Sequence, residues 1–106
     1  MKFRETPIFT KLLTELLDDD EYKKIQEYLI AMPYAGDIIQ GTGGTRKLRW
    51  GLPGVGKSGG ARFIYYWFAP NDIIHMITLY CKSEQEDLTP EQKKMCKKLT
   101  EGYKNE

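Results

Sequence analysis

Apolar residues recur at helical spacing early in the chain: Phe9, Leu12, Leu13, Leu16 and Leu17. Thr6-Pro7, just before them, supplies an N-cap residue and a proline at the first helical position. Asp18-Asp19-Asp20 interrupts the run and can cap a second helix, whose apolar face is Tyr22, Ile25, Tyr28, Leu29 and Met32. Three aspartates at a helix start accept bonds from free amides and favour the dipole there, so they read as a cap rather than as metal ligands. Pro33 ends the segment, because proline disfavours a helical conformation in the residue before it. The pattern predicts an α-hairpin or one long bent helix, with residues 2–5 short and extended ahead of it.

The period then changes. Tyr34 to Asp37 reads as a turn, and Ile38-Ile39-Gln40 as the start of a strand that breaks at Gly41. Thr45–Trp50, Ala61–Ala69 and Ile73–Lys82 carry the β-branched and aromatic residues of strands. Gly51 to Gly60 is expected to be a long glycine-rich hairpin loop, and Pro70-Asn71-Asp72 a tight turn. The three strands form an antiparallel meander. Ser83 to Asp87 is a polar connection. Thr89-Pro90-Glu91-Gln92 then opens a final helix with a capping box. Its apolar stripe of Met95, Leu99 and Tyr103 is thin, and Lys93, Lys94, Lys97 and Lys98 crowd the rest, so the helix should pack lightly with its lysines in solvent. The expected fold is α+β in a single domain, residues 1–106. An N-terminal α-hairpin packs on one face of a small antiparallel β-sheet, and a C-terminal helix follows.

Composition narrows the class. The 106 residues and 41% hydrophobic content suit one folded globule. No apolar run approaches the roughly 20 residues of a membrane span, and residues 1–5 lack a signal-type apolar run, so the expected location is cytoplasmic, with no membrane partner. Cys81 and Cys96 form no C-x-x-C and have only one histidine to join them, so neither a zinc site nor another metal site is expected; both read as reduced thiols. The net charge of +1 hides a segregation. Residues 41–69 carry five cations, Arg46, Lys47, Arg49, Lys57 and Arg62, and no Asp or Glu. A local positive field of this kind predicts an anionic partner bound at one place.

Within that block, Gly51 to Ser58 spells the phosphate-loop pattern G-x-x-x-x-G-K-[ST]. The chemistry needs a helix that begins at the Lys-Ser pair, so that its amides cradle phosphate. Here Gly59-Gly60 and a strand-like aromatic run follow instead, and the chain offers no repeated βα units. The string therefore reads as a hairpin loop, and no nucleotide cofactor is expected.

Side-chain alternation along strands puts Lys47 and Arg49 on one face, with Arg46, Leu48 and Trp50 on the other. Arg62, Ile64, Tyr66 and Phe68 share a face of the next strand, opposite Phe63, Tyr65 and Trp67. In a simple hairpin Arg49 lies near Arg62. With helices on one side only, the other side is expected to be open, and Lys47, Arg49, Arg62, Tyr66, Tyr80 and Lys82 could converge there. Cations would hold a nucleic-acid backbone and aromatics would stack its bases. Cutting RNA needs a base, an acid and charge stabilisation. His75 is alone, between Ile74 and Met76, and reads as a satisfied structural histidine. A lysine whose pKa is lowered by clustered cations can replace it, with arginines stabilising the developing charge. Composition leaves passive binding equally open.

Three stretches, Gly36-Asp37-Ile38-Ile39-Gln40-Gly41-Thr42-Gly43-Gly44, Arg46-Lys47-Leu48-Arg49 and Gly59-Gly60-Ala61-Arg62-Phe63-Ile64-Tyr65-Tyr66-Trp67, closely resemble the HigB branch of the RelE-like toxins. Leu79-Tyr80-Cys81-Lys82-Ser83-Glu84 and Asp87-Leu88-Thr89-Pro90-Glu91-Gln92 resemble the same branch. The resemblance runs from about residue 3 to residue 104. It implies a RelE-like fold and the toxin of a bacterial toxin–antitoxin pair, a metal-independent mRNA endonuclease that enters the ribosomal A site and inhibits translation. The implied partners are the ribosome, mRNA and a helix-turn-helix antitoxin through which DNA is met only indirectly. The 2′-hydroxyl would attack the adjacent phosphate, leaving a 2′,3′-cyclic phosphate and a 5′-hydroxyl. By position, Arg49, Lys57, Arg62 and Lys82 are the implied catalytic cations; Arg46, Lys47, Tyr66 and Tyr80 complete the expected RNA-binding set. Pro53, Val55 and Ser58 stand where relatives often carry cations. Superfamily members include gyrase-directed toxins, so a gyrase inhibitor or a non-catalytic RNA or ribosome binder of the same fold is the alternative.

Overall fold

The helix starts form where their caps stand. Thr6 accepts the amide of Phe9 at 3.1 Å and opens α1, Pro7–Leu16. Asp18 accepts the amide of Glu21 at 2.8 Å and opens α2, Asp19–Ala31. Thr89 and Gln92 close a reciprocal capping box at the head of α3, Pro90–Lys104. The computed structural model describes residues 1–54 and 56–106, with the side chains of Lys57 and Ser58 outside the description.

The strands are β1 (Lys2–Glu5), β2 (Asp37–Ile38), β3 (Arg46–Leu52), β4 (Gly56–Phe68) and β5 (Ile73–Cys81). They form one five-stranded sheet in the order β1-β5-β4-β3-β2. The meander β3-β4-β5 is antiparallel as expected, but the sheet as a whole is mixed: β1 pairs parallel to β5, Lys2 opposite Ile73 through Glu5 opposite Met76. The α-hairpin is what makes a parallel edge possible. Thr6 leaves β1 with its amide on Met76 O at 3.1 Å and its hydroxyl on Ile77 O at 2.6 Å, and α1 then carries the chain back over the sheet.

The glycine-rich segment is also tighter than its composition suggests. β3 runs on to Leu52, which pairs with Gly56, and β4 continues from Gly56 for 13 residues. Lys57 and Ser58 thus lie in strand backbone, and no helix begins at them. The register shifts between Trp50 and Leu52, and a Cβ on Gly60 would run into the carbonyl oxygen of Trp50. Glycine is required there by an irregular strand crossing rather than by a phosphate.

Each face of the sheet is covered by different helices. One side, Leu48, Ala61, Phe63, Tyr65, Ile74, Met76 and Leu79, packs against Phe9 and Leu13 of α1 and Tyr22, Ile25 and Leu29 of α2. The other side was expected to be open, and it is not. Leu88, Met95, Cys96, Leu99 and Tyr103 pack onto Ile64, Tyr66, Ile77 and Tyr80. Light packing was expected of α3 because its apolar stripe is thin. The helix instead buries Cys96 and Thr100 and bonds to the turn at Gly41–Gly44. Thr100 Oγ1 donates to Thr42 O at 3.2 Å, and Lys104 Nζ to Gly43 O at 2.9 Å. Gly43 has a φ of 77°, and a side chain there would collide with the Thr100 hydroxyl. None of the described helices is long and apolar enough to cross a membrane.

Candidate nucleic-acid interface

Cross-strand register assembles the site. Arg49 of β3 is the partner of Arg62 of β4, and Arg62 is the partner of Tyr80 of β5. Residues opposite one another share a face, so the two guanidinium-bearing side chains and the phenol form one row on the α3 side of the sheet. Lys47, Ile64 and Thr78 form the neighbouring row. Lys82 follows β5, its amide bonded to Gly60 O at 3.0 Å.

The row is partly sealed. Arg62 and Tyr80 are each only 5% exposed, whereas Arg49 is exposed. Arg62 donates to the carbonyl of Ala61 at 3.3 Å. Two arginines directly across a strand pair repel each other, and no carboxylate among the described residues forms an ion pair with Arg49. The flanking lysines do have acidic neighbours, all supplied by the connection from β5 to α3. Lys47 Nζ lies 4.0 Å from Asp87, and Lys82 Nζ lies 4.0 Å from Glu86. Such exposed, long pairs contribute little to stability.

Sequence reasoning missed Asp87 and Glu86 as members of the site. The available signal was the short return of Ser83–Asp87 from the end of β5 to the start of α3, which confines those carboxylates near the last strand. Asp87 also accepts the amide of Leu88 at 2.9 Å. The Thr89–Gln92 box occupies the amides of Thr89 and Gln92 at the start of α3.

Three expected site members are less available than expected. Arg46 faces away from the row, and its guanidinium donates to Tyr34 O at 3.1 Å and Gly36 O at 2.9 Å, clamping the turn that precedes β2. Its guanidinium is thus committed to the fold. Tyr66 keeps 8% of its surface and stacks with Phe68, His75 and Tyr103, while Lys104 Nζ sits 5.8 Å from its ring centre. Its ring is already used, so it offers no face to a base. Tyr80 is likewise too buried to be a stacking platform. The expectation of exposed aromatics on this face is thus corrected by the same helix that closes it. The Lys57 side chain lies outside the described residues.

His75 is buried and stacks on Tyr103 with ring centres 3.7 Å apart. Its Nε2 has no hydrogen-bond partner, so it is structural but not fully satisfied. Burial pulls its pKa below the ordinary imidazole value; Glu106 opposes that and Arg4 reinforces it. At Tyr80, burial raises the phenol's pKa, Asp87 raises it further, and Arg62 and Arg49 pull it back. Both cysteines are unbridged; burial lifts the Cys96 thiol to about 11, which leaves it unreactive as a nucleophile.

Cations placed this way, with Arg49 exposed, Arg62 opposite it on the next strand, and Lys47 and Lys82 nearby, suit an anionic partner such as a phosphodiester. The sequence matches no model of a known protein family.

Proposed function

We propose that the chain is a ribosome-dependent endoribonuclease, the toxin of a toxin–antitoxin pair, of the RelE-like type and its HigB branch. The observation that carries the reading is the direct cross-strand pairing of Arg49 with Arg62, with Lys47 in the neighbouring row and Lys82 just past the end of β5. The order of elements, an α-hairpin, a sheet and a C-terminal helix, agrees with the fold that the resemblance leads one to expect. In this reading the mRNA phosphodiester sits at the arginine pair. As the 2′-hydroxyl attacks the adjacent phosphorus, negative charge grows on the non-bridging oxygens, and Arg49 and Arg62 stabilise it. Lys57 or Lys82 serves as the base for the 2′-hydroxyl. The bond to the 5′-oxygen breaks, and that oxygen takes up a proton from the other lysine or from water, leaving a 2′,3′-cyclic phosphate and a 5′-hydroxyl, without a metal. A helix-turn-helix antitoxin is the partner that restrains it.

The test is purified protein added to a translating extract, with mRNA ends mapped. New 5′-hydroxyl ends inside reading frames, dependent on ribosomes, are expected. Intact message with normal translation would sink the proposal, and intact message with DNA-damage signals in cells would move it to a gyrase inhibitor of the same fold.

A further inference from the structure

β2 is two residues long and pairs only with Arg46 and Lys47, so among the described residues β3 has no strand on its outer side from Leu48 onward. A cleft of about 260 Å³ lies along that edge, lined by Tyr28, Ala35, Asp37, Lys47, Leu48 and Arg49. Two of its members stay available to a ligand. Asp37 stands directly opposite Lys47 and therefore shares the face of Lys47 and Arg49. It is exposed and forms no ion pair among the described residues; Lys47 Nζ lies 4.0 Å from Asp87 instead. Tyr28 keeps 37% of its surface, while a T-shaped contact with Trp50, ring centres 5.8 Å apart, fixes its ring.

We infer that this cleft is a nucleobase subsite and that it takes guanine, with Asp37 as the residue that selects it. The inference rests on the RNA reading above and deepens it, by naming the base that lies next to the phosphate at Arg49. A carboxylate beside a phosphate site repels the backbone, so it is useful there only against a donor. Guanine presents two adjacent donors, N1–H and N2–H, on its Watson–Crick edge, and the two oxygens of one carboxylate accept both. Adenine and cytosine set a ring acceptor beside their single amino group, and uracil sets carbonyls on both sides of its N–H. An acceptor-only side chain meets those acceptors with repulsion. Asp37 and Arg49 are diagonal neighbours across β2 and β3, roughly 7–8 Å apart by strand geometry, so one nucleotide reaches both. Tyr28 supplies the stacking surface that the buried Tyr66 and Tyr80 do not.

The test uses four short single-stranded DNA oligonucleotides that differ at one central base and lack the attacking 2′-hydroxyl. The parent should bind the guanine oligonucleotide on the order of 10-fold more tightly than the adenine, cytosine and thymine ones, the discrimination of one bidentate pair. Asp37→Asn should bring guanine down to the level of the others and bind those three somewhat more tightly, because a repelling charge is gone. Affinities that move in opposite directions mark a base contact. If Asp37→Asn strengthens all four alike, Asp37 is only a local charge and the inference is overturned; equal binding of all four by the parent overturns it too. Tyr28→Ala should weaken all four together, and unchanged binding would remove its stacking role. In a translating extract the parent's cut sites should carry guanine at one fixed offset, and those of Asp37→Asn should not. Cut sites with no fixed guanine overturn the subsite and leave the endonuclease standing. Intact message alongside guanine-selective binding sinks the cutting and leaves the subsite. If the parent neither cuts message nor binds any of the four, both readings fall together.

Discussion

Two buried tyrosines on opposite faces of one sheet are treated in opposite ways. Tyr65, on the α-hairpin side, donates its hydroxyl to Pro33 O at 2.8 Å and accepts the amide of Gly36 at 2.9 Å. Tyr80, on the α3 side, has no partner at all. Tyr65 joins the sheet to the turn after α2, so its polar atom is part of the fold. Tyr80 stands opposite Arg62, and its hydroxyl joins no other part of the fold by a hydrogen bond. The contrast separates the faces by task. The α-hairpin side supplies stability through a continuous apolar cluster. The α3 side is divided, with an aromatic stack of Tyr66, His75 and Tyr103 at one end and the arginine row at the other.

That division can be broken most forcefully at Phe63. It is fully buried against Phe9, with ring centres 6.1 Å apart. Phe63→Ala should cost about 3–5 kcal/mol in chemical denaturation. A loss below about 1 kcal/mol would mean that the α-hairpin side is not where the stability resides.

Tyr65→Phe sharpens the comparison directly. It strands the amide of Gly36 and the carbonyl of Pro33, and should cost about 1–3 kcal/mol. The matching change at Tyr80 should cost nothing. Equal losses at the two positions, measured in the same denaturant series, would erase the distinction between the two tyrosines.

The smallest effect concerns pH. Burial holds the folded-state pKa of His75 below the ordinary value near 6.5. The unfolded chain therefore binds the proton first, and stability rises with pH across this window. Stability should be complete above about pH 6.5 and fall as the pH drops through the folded-state value. The groups around the ring are Tyr66 and Tyr103, stacked on it, and Arg4 and Glu106, whose charges nearly face each other at 3.0 Å. Melting curves between pH 7 and pH 5 should fall less steeply for His75→Gln than for the parent. Parallel curves would show that His75 is not the titrating group.

Much of the frame was legible in local chemistry. Thr6, Asp18 and Thr89 announce their helices because a cap is a short-range bond between a side chain and amides two or three residues away. The faces of β3 and β4 followed from alternation, and the Arg49–Arg62 contact from a simple hairpin. What escaped was set by distant partners. Lys2–Glu5 carries no pattern that names β5 as a parallel neighbour. Gly59-Gly60 reads as loop by composition, yet Gly60 is in a strand because the backbone of Trp50 approaches it too closely for any side chain. The docking of α3 adds to its thin stripe Cys96, Thr100 and a lysine bonded to a glycine carbonyl, which no apolar periodicity signals. Tyr66 and Tyr80 were placed on the correct face, and the helix that hides them was not. The same docking brought Asp87 to the edge of the site.

The central claim is that the arginine row acts on an RNA backbone and is dispensable to the fold. Arg49 tests it most directly, because it is exposed and sits opposite a like charge. Message cutting by Arg49→Ala in a translating extract should be compared with its melting temperature. Cutting should fall by about 100-fold or more, the loss seen when one charge-stabilising donor is removed. The melting temperature should hold within about 2 °C or rise slightly as the repulsion with Arg62 is relieved. Undiminished cutting by this variant would contradict the account.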